Sequence, residues 1–343
     1  MQRVTIRKPG GLERLELETV PEPLPGPGQV RVATRAVGVN FADCVVRLGL
    51  YPSAREYVGW PITPGFEFSG VVSAIGERVE NVKVGDRVFG VTRFGAYASE
   101  VVVDAQLVKP LPEELDFEHA AAFPTVFLTA WYAVRELVRV RPGMSVLVHS
   151  AAGGVGCALT QLCKASNART IGVVSSAHKR DTALAQGADA VIVKSQEALW
   201  PTAERLCPDG FHVVLDANGA ETLRDSYRHL RPTGRLVIYG FHTRLSRGKD
   251  RPNWLKLAWD FLRTPRFNPL DLTNDNKCVL AFNLSYLFDE MPLFHEAMDD
   301  LIAELKAGRV RPLPVKALPL AEVREAHRLL HAGETVGKLV LTV

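Results

Sequence analysis

The hydrophobic pattern of the chain changes about one third of the way along. Up to about residue 122, short apolar or alternating runs are broken by glycine and proline, which is typical of strands joined by turns. From residue 125 onward, strand-like apolar runs alternate with helical patterns. These runs are 145–149, 168–174, 188–194, 211–217, 235–240 and 279–285. The pattern predicts an α/β fold, with an irregular, mainly antiparallel β region followed by βαβ units that form a doubly wound parallel sheet of six strands.

A strand, a glycine-rich turn and a helix follow one another between residues 143 and 164. The apolar run from Ser145 to His149 is long enough for one buried strand and too short for a buried helix. The turn SAAGGVG comes next, and the apolar residues after it have helical spacing. A dinucleotide pyrophosphate needs close backbone approach and the unpaired N–H groups of a helix N-terminus. The order of these elements therefore favours a dinucleotide-binding turn over a plain structural turn.

Length and composition are those of a globular protein with two domains. The chain has 343 residues, of which 47% are hydrophobic and 23% charged, and its formal net charge is +3. So small a net charge gives no reason to expect a nucleic-acid partner. The N-terminus lacks the apolar core of a signal peptide, and no apolar run reaches the length of a membrane span. We therefore expect a cytoplasmic protein.

The cysteines show neither a disulfide framework nor a zinc-binding spacing. They are Cys44, Cys157, Cys163, Cys207 and Cys278, an odd number without a CxxC pair. We expect free thiols in a reducing compartment. We interpret Cys44, which lies within a motif described below, as a packing residue because nothing near it in sequence would lower its pKa.

A segment rich in Trp, Phe, Pro and basic residues interrupts the alternation between residues 242 and 277. Trp254, Leu257, Ala258 and Phe261 have helical spacing and predict one apolar helical face. Three interpretations are open: a cap over the active site, a membrane-surface patch, or a helix packed on its own domain. The last is favoured because only one short face is apolar.

Two further elements are predicted near the C-terminus. A helix follows Glu290 and continues through Leu305, and the strand 338–343 closes the chain. We expect this strand to rejoin the N-terminal β region, so that both ends of the chain belong to one domain.

Short motifs run in a fixed order along nearly the whole chain. They are VNFAD at 39–43, GLYP at 49–52, PGFE at 64–67, VGDRV at 84–88 and AAGGVG at 151–156. These motifs resemble those of the medium-chain dehydrogenase/reductase superfamily, and within it the zinc-independent quinone oxidoreductase branch. The stretch 127–132 is also similar to polyketide-synthase enoyl reductase domains, and 281–287 and the insertion are similar to vesicle amine transport protein homologues.

The resemblance implies a fold of two domains. A GroES-like, mainly antiparallel β catalytic domain would span residues 1–124 and 289–343. A Rossmann-type NADPH-binding domain would span residues 125–288, with the insertion at 242–277.

The same resemblance bears on the metal. In zinc-dependent relatives, a Cys, the His of a GHE motif and a further Cys hold the catalytic ion, and the matching positions here are Asn40, Phe66 and Thr125. An amide, a phenyl ring and a hydroxyl group cannot replace thiolate and imidazole ligands, so we expect no metal. Without a Lewis acid, hydride addition to a conjugated acceptor is favoured over alcohol oxidation.

The residues after the second parallel strand favour NADPH over NADH. NAD-specific folds place an acid there to bind the ribose 2′-hydroxyl group, but no Asp or Glu occurs between Glu136 and Asp181. The strand ends instead in Ser175 and Ser176, followed by cations that suit a 2′-phosphate. By resemblance, Lys179 occupies the position that binds this phosphate.

The resemblance also implies which residues form the site. Asn40 would lie near the nicotinamide ring, and Tyr51 is the candidate proton donor, with solvent or a purely structural rim aromatic as the alternatives. The expected cofactor contacts are Asn40, Thr129, Ala152, Gly153, Gly154, Val155, Ser175, Ser176, Lys179, Lys194, Asn218, Tyr239, Gly240, Phe241, Phe282, Leu284 and Lys338. For Lys338, a structural ion pair is an equal alternative. Asp43 and Glu67 are interpreted as mainly structural acids.

These expectations define one reaction and its alternatives. We expect NADPH-dependent hydride transfer to a small-molecule quinone or α,β-unsaturated carbonyl compound. An enoyl-thioester reductase is a variant of the same chemistry. The alternative from another class is an NADPH-binding scaffold, or a lipid- or vesicle-associated protein with little turnover, which the insertion supports.

The run VLAFNLS at 279–285 predicts the oligomeric state. In this superfamily the sixth strand is often an edge that pairs with its twin, and a bare apolar edge without proline would invite aggregation. We therefore expect a C2 homodimer with a continuous twelve-stranded sheet. The alternative is a monomer in which the insertion covers this edge.

Overall fold

Two compact units make up the part of the chain that the computed structural model describes, residues 1–242 and 253–343. Within these residues, the first unit comprises 1–125 and 312–343, and the second comprises 126–242 and 253–311.

The elements are numbered along the chain. The strands are β1 (Gln2–Thr5), β2 (Glu16–Thr19), β3 (Gln29–Val39), β4 (Glu67–Ile75), β5 (Arg87–Val91), β6 (Glu100–Asp104), β7 (Val108–Pro110), β8 (Ser145–His149), β9 (Arg169–Val174), β10 (Ala190–Val193), β11 (Phe211–Asp216), β12 (Leu230–Ile238), β13 (Cys278–Ala281), β14 (Val315–Pro319) and β15 (Lys338–Thr342). The α-helices are α1 (Phe41–Arg47), α2 (Pro52–Tyr57), α3 (Phe117–Ala121), α4 (Pro124–Trp131), α5 (Gly154–Ala165), α6 (Arg180–Ala185), α7 (Leu199–Leu206), α8 (Leu223–Arg228), α9 (Trp254–Arg263), α10 (Pro269–Asp275), α11 (Met291–Lys306) and α12 (Val323–Ala332). A π-helical stretch, Tyr132–Leu137, continues α4.

The first unit is built on a sheet of seven strands within the described residues. The order is β14-β15-β3-β4-β5-β7, with β6 also paired to β3, and every pair except β14–β15 is antiparallel. Val32, Phe68 and Leu341 are completely buried in its core. Strand β15 pairs with β3, which confirms that the C-terminal strand rejoins the N-terminal β region.

The second unit contains six parallel strands within the described residues, in the order β10-β9-β8-β11-β12-β13. The first strand of this unit, β8, lies in the middle of the sheet. Strands β9 and β10 follow on one side of it, and β11, β12 and β13 follow on the other. This is the doubly wound arrangement, and it confirms the predicted fold class. The apolar residues Leu147, Ile171, Val214 and Leu236 are completely buried in its core.

The boundary between the units differs from the expected return at residue 289. Helix α11 belongs to the second unit, where the indole N–H of Trp131 donates to Asp300 at 2.6 Å. A second contact joins Arg135 to Glu304 at 3.3 Å. These polar contacts attach α11 to the segment around α4, so the chain returns to the first unit only at residue 312.

Strand β13 is shorter than the predicted run 279–285. It ends at Ala281, and one further backbone bond joins the N–H of Phe282 to the carbonyl oxygen of Ile238 at 3.2 Å. Asn283 then accepts the backbone N–H of Ser285 with its side chain at 3.0 Å, which begins a 3₁₀ turn over Leu284–Tyr286. The Asn283 side chain thus ends the strand, an effect that apolarity alone does not reveal.

Helix α9 belongs to the second unit, the domain on which the favoured interpretation packs it, but its predicted apolar face is not the side that is buried. Trp254 and Phe261 are 69% and 67% exposed, and Leu257 is half-buried. The buried side chain is that of Asp260, which pairs with Lys256 at 2.7 Å. The ion pair, rather than the apolar face, is directed inward. Residues 243–252 of the insertion lie outside the described residues.

Candidate functional site

The turn between β8 and α5 is shaped by two glycines with different surroundings. Gly153 is the N-cap of α5, and a Cβ at this position would meet only the carbonyl oxygen of Ser150, at an ordinary 3.4 Å. A Cβ on Gly156 would overlap with that same oxygen, so Gly156 allows the helix to pack closely against the turn. The turn carries the predicted cofactor residues Ala152, Gly153, Gly154 and Val155. Its N–H groups at the start of α5 form the kind of site that binds phosphate.

Residues 175–179, which follow β9, carry two hydroxyl groups and a cation. Strand β9 is the neighbour of β8, the strand before the glycine-rich turn. The Oγ atoms of Ser175 and Ser176 are 3.5 Å apart, and Ser176 is the N-cap of the 3₁₀ turn that ends at Lys179. Lys194 follows β10, and its backbone N–H donates to Val174 at the end of β9. Four predicted residues, Ser175, Ser176, Lys179 and Lys194, therefore lie at the carboxyl ends of neighbouring strands. This edge suits a phosphate group on a ribose.

Asn218 lies where the strand order reverses, between β8 and β11. The Ser150 hydroxyl group donates to the Asn218 side chain at 3.2 Å, which links the carboxyl ends of these two strands. Asp216 accepts the backbone N–H of Asn218 at 2.8 Å and that of Gly219 at 3.2 Å. Ligands of doubly wound sheets bind in the crevice at such a switch point.

The remaining predicted residues of the second unit follow β12, lie in α4 or follow β13. The backbone N–H of Tyr239 continues the parallel ladder to Asp216 at 3.1 Å, and Gly240 leads to Phe241, which is 36% exposed. Thr129 is buried in α4, three residues before Tyr132. The Tyr132 ring packs on Phe282 at 4.9 Å between centroids, and Leu284 begins the 3₁₀ turn that follows.

A buried polar cluster beneath the switch point was missed by the sequence analysis. Ser226 donates its hydroxyl hydrogen to Asp216 at 2.8 Å, so its oxygen accepts from His149 Nε2 at 3.1 Å. Burial lowers the pKa of His149, and the nearby Asp216 carboxylate only partly offsets this, so the imidazole is neutral at pH 7. The cluster fixes the carboxyl ends of β8 and β11. The sequence signal that could have revealed this cluster is a polar residue at the end of each of two apolar strands, His149 in β8 and Asp216 in β11.

In the first unit, Asn40, Glu67 and Lys338 form one buried cluster. Glu67 Oε1 accepts from Asn40 Nδ2 at 2.9 Å and pairs with Lys338 Nζ at 2.6 Å. Lys338 also donates to Asn40 Oδ1. Glu67 Oε2 accepts the backbone N–H of Thr125 at 2.8 Å. Lys338 thus makes the ion pair given above as its alternative role, and its contact with a cofactor stays a prediction.

Tyr51 belongs to an aromatic cluster in the first unit. Its ring lies edge-on to Phe66 at 5.9 Å and to Phe94 at 6.4 Å between centroids, and Tyr51 is only partly buried. Phe66 and Phe94 in turn pack at 5.3 Å. Edge-to-face contacts of this kind hold the phenol in one orientation.

The cysteines agree with the expectation of free thiols. Cys44, Cys157, Cys163 and Cys207 are buried and Cys278 is exposed, all without a disulfide. Burial raises the pKa of the Cys44 thiol to about 12, which supports a packing role.

The described residues contain neither a candidate metal cluster nor a membrane-spanning helix. Among residues 1–242 and 253–343, no group of three or more His, Cys, Asp or Glu residues is arranged to hold a metal ion. No helix in these ranges is long and apolar enough to cross a membrane.

A doubly wound sheet with a glycine-rich turn after its first strand, together with an antiparallel-rich GroES-like unit, defines a two-domain oxidoreductase of the dehydrogenase type. Family profiles agree: "Alcohol dehydrogenase GroES-like domain" matches residues 26–113, and "Zinc-binding dehydrogenase" matches residues 186–341. The rat synaptic vesicle membrane protein VAT-1 homolog is 34% identical over 97% of this chain and 81% of that protein. The chain belongs to the medium-chain dehydrogenase/reductase superfamily, in its quinone oxidoreductase-like branch.

Two solved structures show how completely this fold is shared. Quinone oxidoreductase of Pseudomonas syringae pv. Tomato DC3000 is 31% identical, with a TM-score of 0.87 over 100% of this chain and 99% of that chain. The Escherichia coli quinone oxidoreductase, complexed with NADPH, is 29% identical, with a TM-score of 0.87 and full coverage of both chains.

Proposed function

We propose that the protein is an NADPH-dependent reductase that transfers a hydride to a quinone or an α,β-unsaturated carbonyl compound without a zinc ion. The main support comes from the residues at the carboxyl ends of strands β8 and β9. The β8–α5 turn follows the strand next to β9, and residues 175–180 after β9 include two serines and a lysine but no carboxylate. A related E. coli quinone oxidoreductase structure contains NADPH, which supports the same cofactor here.

The residues of the second unit fit this cofactor. The missing side chain at Gly153 would let a pyrophosphate approach the N–H groups of α5, and Lys179 would pair with the 2′-phosphate. Asn218, Phe241 and Phe282 would orient the nicotinamide half from the neighbouring strand ends. Bound NADPH supplies the hydride, and these residues supply position.

Residues of the first unit would complete the reaction on the acceptor. Asn40, whose amide is fixed by Glu67 and Lys338, would orient the reacting groups. The Tyr51 hydroxyl group would give a proton to the enolate or quinol oxygen, with solvent as the alternative source. A conjugated acceptor is already polarised, so its reduction depends less on a Lewis acid than alcohol oxidation does.

The donor set at the positions that match zinc ligands supports metal independence. Phe66 has no donor atom, and both ends of the Asn40 amide are engaged by Glu67 and Lys338. Activity is therefore expected to survive prolonged chelation, and elemental analysis is expected to find no stoichiometric zinc. About one zinc per chain, with activity lost on its removal, would contradict this part of the proposal.

The function is tested by following NADPH oxidation with a panel of acceptors. The panel contains 9,10-phenanthrenequinone, small enones and an enoyl thioester. We expect turnover with a quinone or enone and a strong preference for NADPH over NADH. Turnover restricted to the thioester would reassign the substrate class, and NADPH binding without any consumption would refute the enzyme proposal.

A second candidate function, association with a lipid surface, is favoured by α9. Its Leu255 and Leu262 are 85% and 74% exposed, beside the exposed Trp254, Trp259 and Phe261. Tryptophan and leucine on one side of a short helix suit the membrane interface. The rat relative is named as a synaptic vesicle membrane protein, which points in the same direction.

Co-sedimentation with liposomes tests this second candidate. Wild-type protein is expected to bind anionic vesicles, and the pair Leu255→Ser and Leu262→Ser is expected to weaken binding severalfold. Leu24→Ser is the matched control because Leu24 is an isolated leucine, also 85% exposed, in the first unit. Equal binding by all variants would exclude α9 as the contact.

A further inference from the structure

We infer that Glu67 is a positioning residue that sets the orientation of the Asn40 amide and the place of the Lys338 ammonium. The inference rests on the proposed function, in which the Asn40 amide, fixed by Glu67 and Lys338, orients the reacting groups. It goes beyond that proposal because it assigns a role to a carboxylate that motif and composition mark only as structural.

The hydrogen bonds of the cluster fix the amide in one sense. Asn40 Nδ2 is a donor and lies 2.9 Å from a Glu67 oxygen, while Asn40 Oδ1 is an acceptor and receives a hydrogen from Lys338. A flipped amide would direct its oxygen at the carboxylate and its N–H group at the ammonium. Both contacts would be repulsive, so Glu67 and Lys338 together exclude that state.

Glu67 is also satisfied on its other oxygen. Oε2 accepts the backbone N–H of Thr125, and the side chain is completely buried. The carboxylate has room because residue 38 is a glycine, and a Cβ added at that position would overlap with Glu67 Oε1. These contacts restrict the Glu67 carboxylate to one position, and the carboxylate can therefore hold Asn40 and Lys338 in place.

Donor capacity remains for a ligand. Among the described residues, Lys338 finds acceptors on Glu67 and Asn40 for two of its three ammonium hydrogens. One Asn40 Nδ2 hydrogen is bonded to Glu67, and the amide has a second. Glu67 thus binds both groups and leaves each of them a hydrogen for a further acceptor.

The cluster takes the place of metal ligation at these positions. The resemblance matches Asn40 and Thr125 to two zinc ligands, and here both converge on the Glu67 carboxylate. The cation that this carboxylate binds is the Lys338 ammonium. Stability alone is a weak reason for such an arrangement, because a buried ion pair is often no more stabilising than apolar side chains of equal volume.

A double-mutant cycle between Glu67→Gln and Asn40→Ala tests the inference. If Glu67 acts through the amide, Glu67→Gln should raise the dissociation constant of NADPH and lower kcat/KM by about tenfold in the wild-type background. In the Asn40→Ala background the same change should have less than a twofold effect on both. The melting temperature is measured in parallel and should fall by similar amounts in both backgrounds.

A merely structural role predicts a different result. It would give equal fold losses in both backgrounds, and that additivity would overturn the inference. Glu100→Gln is the matched control, because Glu100 pairs with Arg31 at 3.3 Å in the same unit without touching the cluster. It should leave the NADPH dissociation constant unchanged.

Two further arms keep the result interpretable. If Glu67→Gln does not fold, the cycle is repeated with Lys338→Met present throughout, which removes the unpaired buried charge. An Asn40-dependent loss supports the inference there, and an additive one overturns it. Wild-type protein that neither binds NADPH nor reduces any acceptor would refute the proposed function itself, a result separate from additivity in an active enzyme.

Discussion

The Tyr97 hydroxyl group donates a hydrogen bond of 2.9 Å to Oδ2 of Asp43, and both side chains are completely buried. The same carboxyl group accepts the backbone N–H of Asn40 at 2.8 Å and that of Gly65 at 2.9 Å. It therefore joins the segment that carries Asn40 to the segment that carries Phe66. Burial raises the pKa of Asp43 to about 7, against the opposing effect of these hydrogen bonds.

This raised pKa predicts how stability depends on pH. The unfolded value is near 3.8, so between about pH 4 and pH 7 the folded protein binds a proton that the unfolded chain does not. The stabilisation is complete below the unfolded pKa and is lost as pH rises through the folded pKa. Asp43 alone contributes a fall of about 1.4 kcal/mol in unfolding free energy per pH unit in this window.

Chemical denaturation at several pH values measures this slope. Asp43→Asn removes the titration, so its unfolding free energy should decrease less between about pH 4 and pH 7 than that of the wild type. Asp104→Asn is the control, because Asp104 is an exposed carboxylate that caps a turn through Gln106. Parallel curves for the wild type and Asp43→Asn would contradict the raised pKa.

The sequence correctly predicted elements whose hydrophobic pattern is compatible with only one kind of secondary structure. The strand Ser145–His149 and the closing strand at Lys338 are where the pattern placed them, because apolar runs between turn residues allow little else. The pattern does not say which face of an amphipathic helix turns inward. In α9 the Lys256–Asp260 ion pair lies inward, and tertiary contacts alone decide that.

Polar contacts between residues far apart in the sequence could not be predicted either. The bond from Trp131 to Asp300 moves α11 into the second unit, and its partners are far apart in the sequence. For the candidate site, the order of strand, glycine-rich turn and helix between residues 145 and 165 could be predicted because its residues are consecutive. The convergence of Asn40, Glu67 and Lys338 could not, since it depends on how three separate segments meet.

Lys179 is predicted to select NADPH over NADH. Lys179→Ala should weaken NADPH binding by about 1.5 to 3 kcal/mol, the loss of a charge-assisted hydrogen bond, and leave NADH binding nearly unchanged. Fluorescence titration of both cofactors measures the difference. Arg205→Ala is the control, because Arg205 is a 72% exposed cation in the last turn of α7, outside this segment, and its loss should change little. Equal losses for both cofactors would exclude the 2′-phosphate assignment.

Substitution of the two glycines of the β8–α5 turn should affect different properties, stability for Gly156 and NADPH affinity for Gly153. Gly156→Ala forces a methyl group into the Ser150 carbonyl oxygen and should lower the unfolding free energy by about 1 to 3 kcal/mol. Gly153→Ala fits without overlap, so stability should hold, while the added methyl group should raise the dissociation constant of NADPH. Denaturation and cofactor titration of both variants separate the effects. A stable Gly156→Ala protein would refute the close packing.

The last prediction concerns the edge of the parallel sheet. Strand β13 has β12 as its neighbour on one side, and the N–H of Phe282 donates to Ile238 of that strand. Successive N–H groups alternate in direction along a strand, so the N–H of Ala281 is directed away from β12. An apolar edge with such donors is suited to pairing with a second copy.

We propose that two copies pair β13 about a two-fold axis, giving one continuous sheet of twelve strands. Ala281→Pro removes an outward N–H group and spares the ladder to β12, so it should shift the protein toward monomer with little loss of stability. Ala281→Val keeps the donor and should remain dimeric. Asn283→Pro is a poorer test of pairing, because the Asn283 side chain caps the 3₁₀ turn. Light scattering at micromolar concentration reports the mass, and a monomeric wild-type protein would refute the dimer.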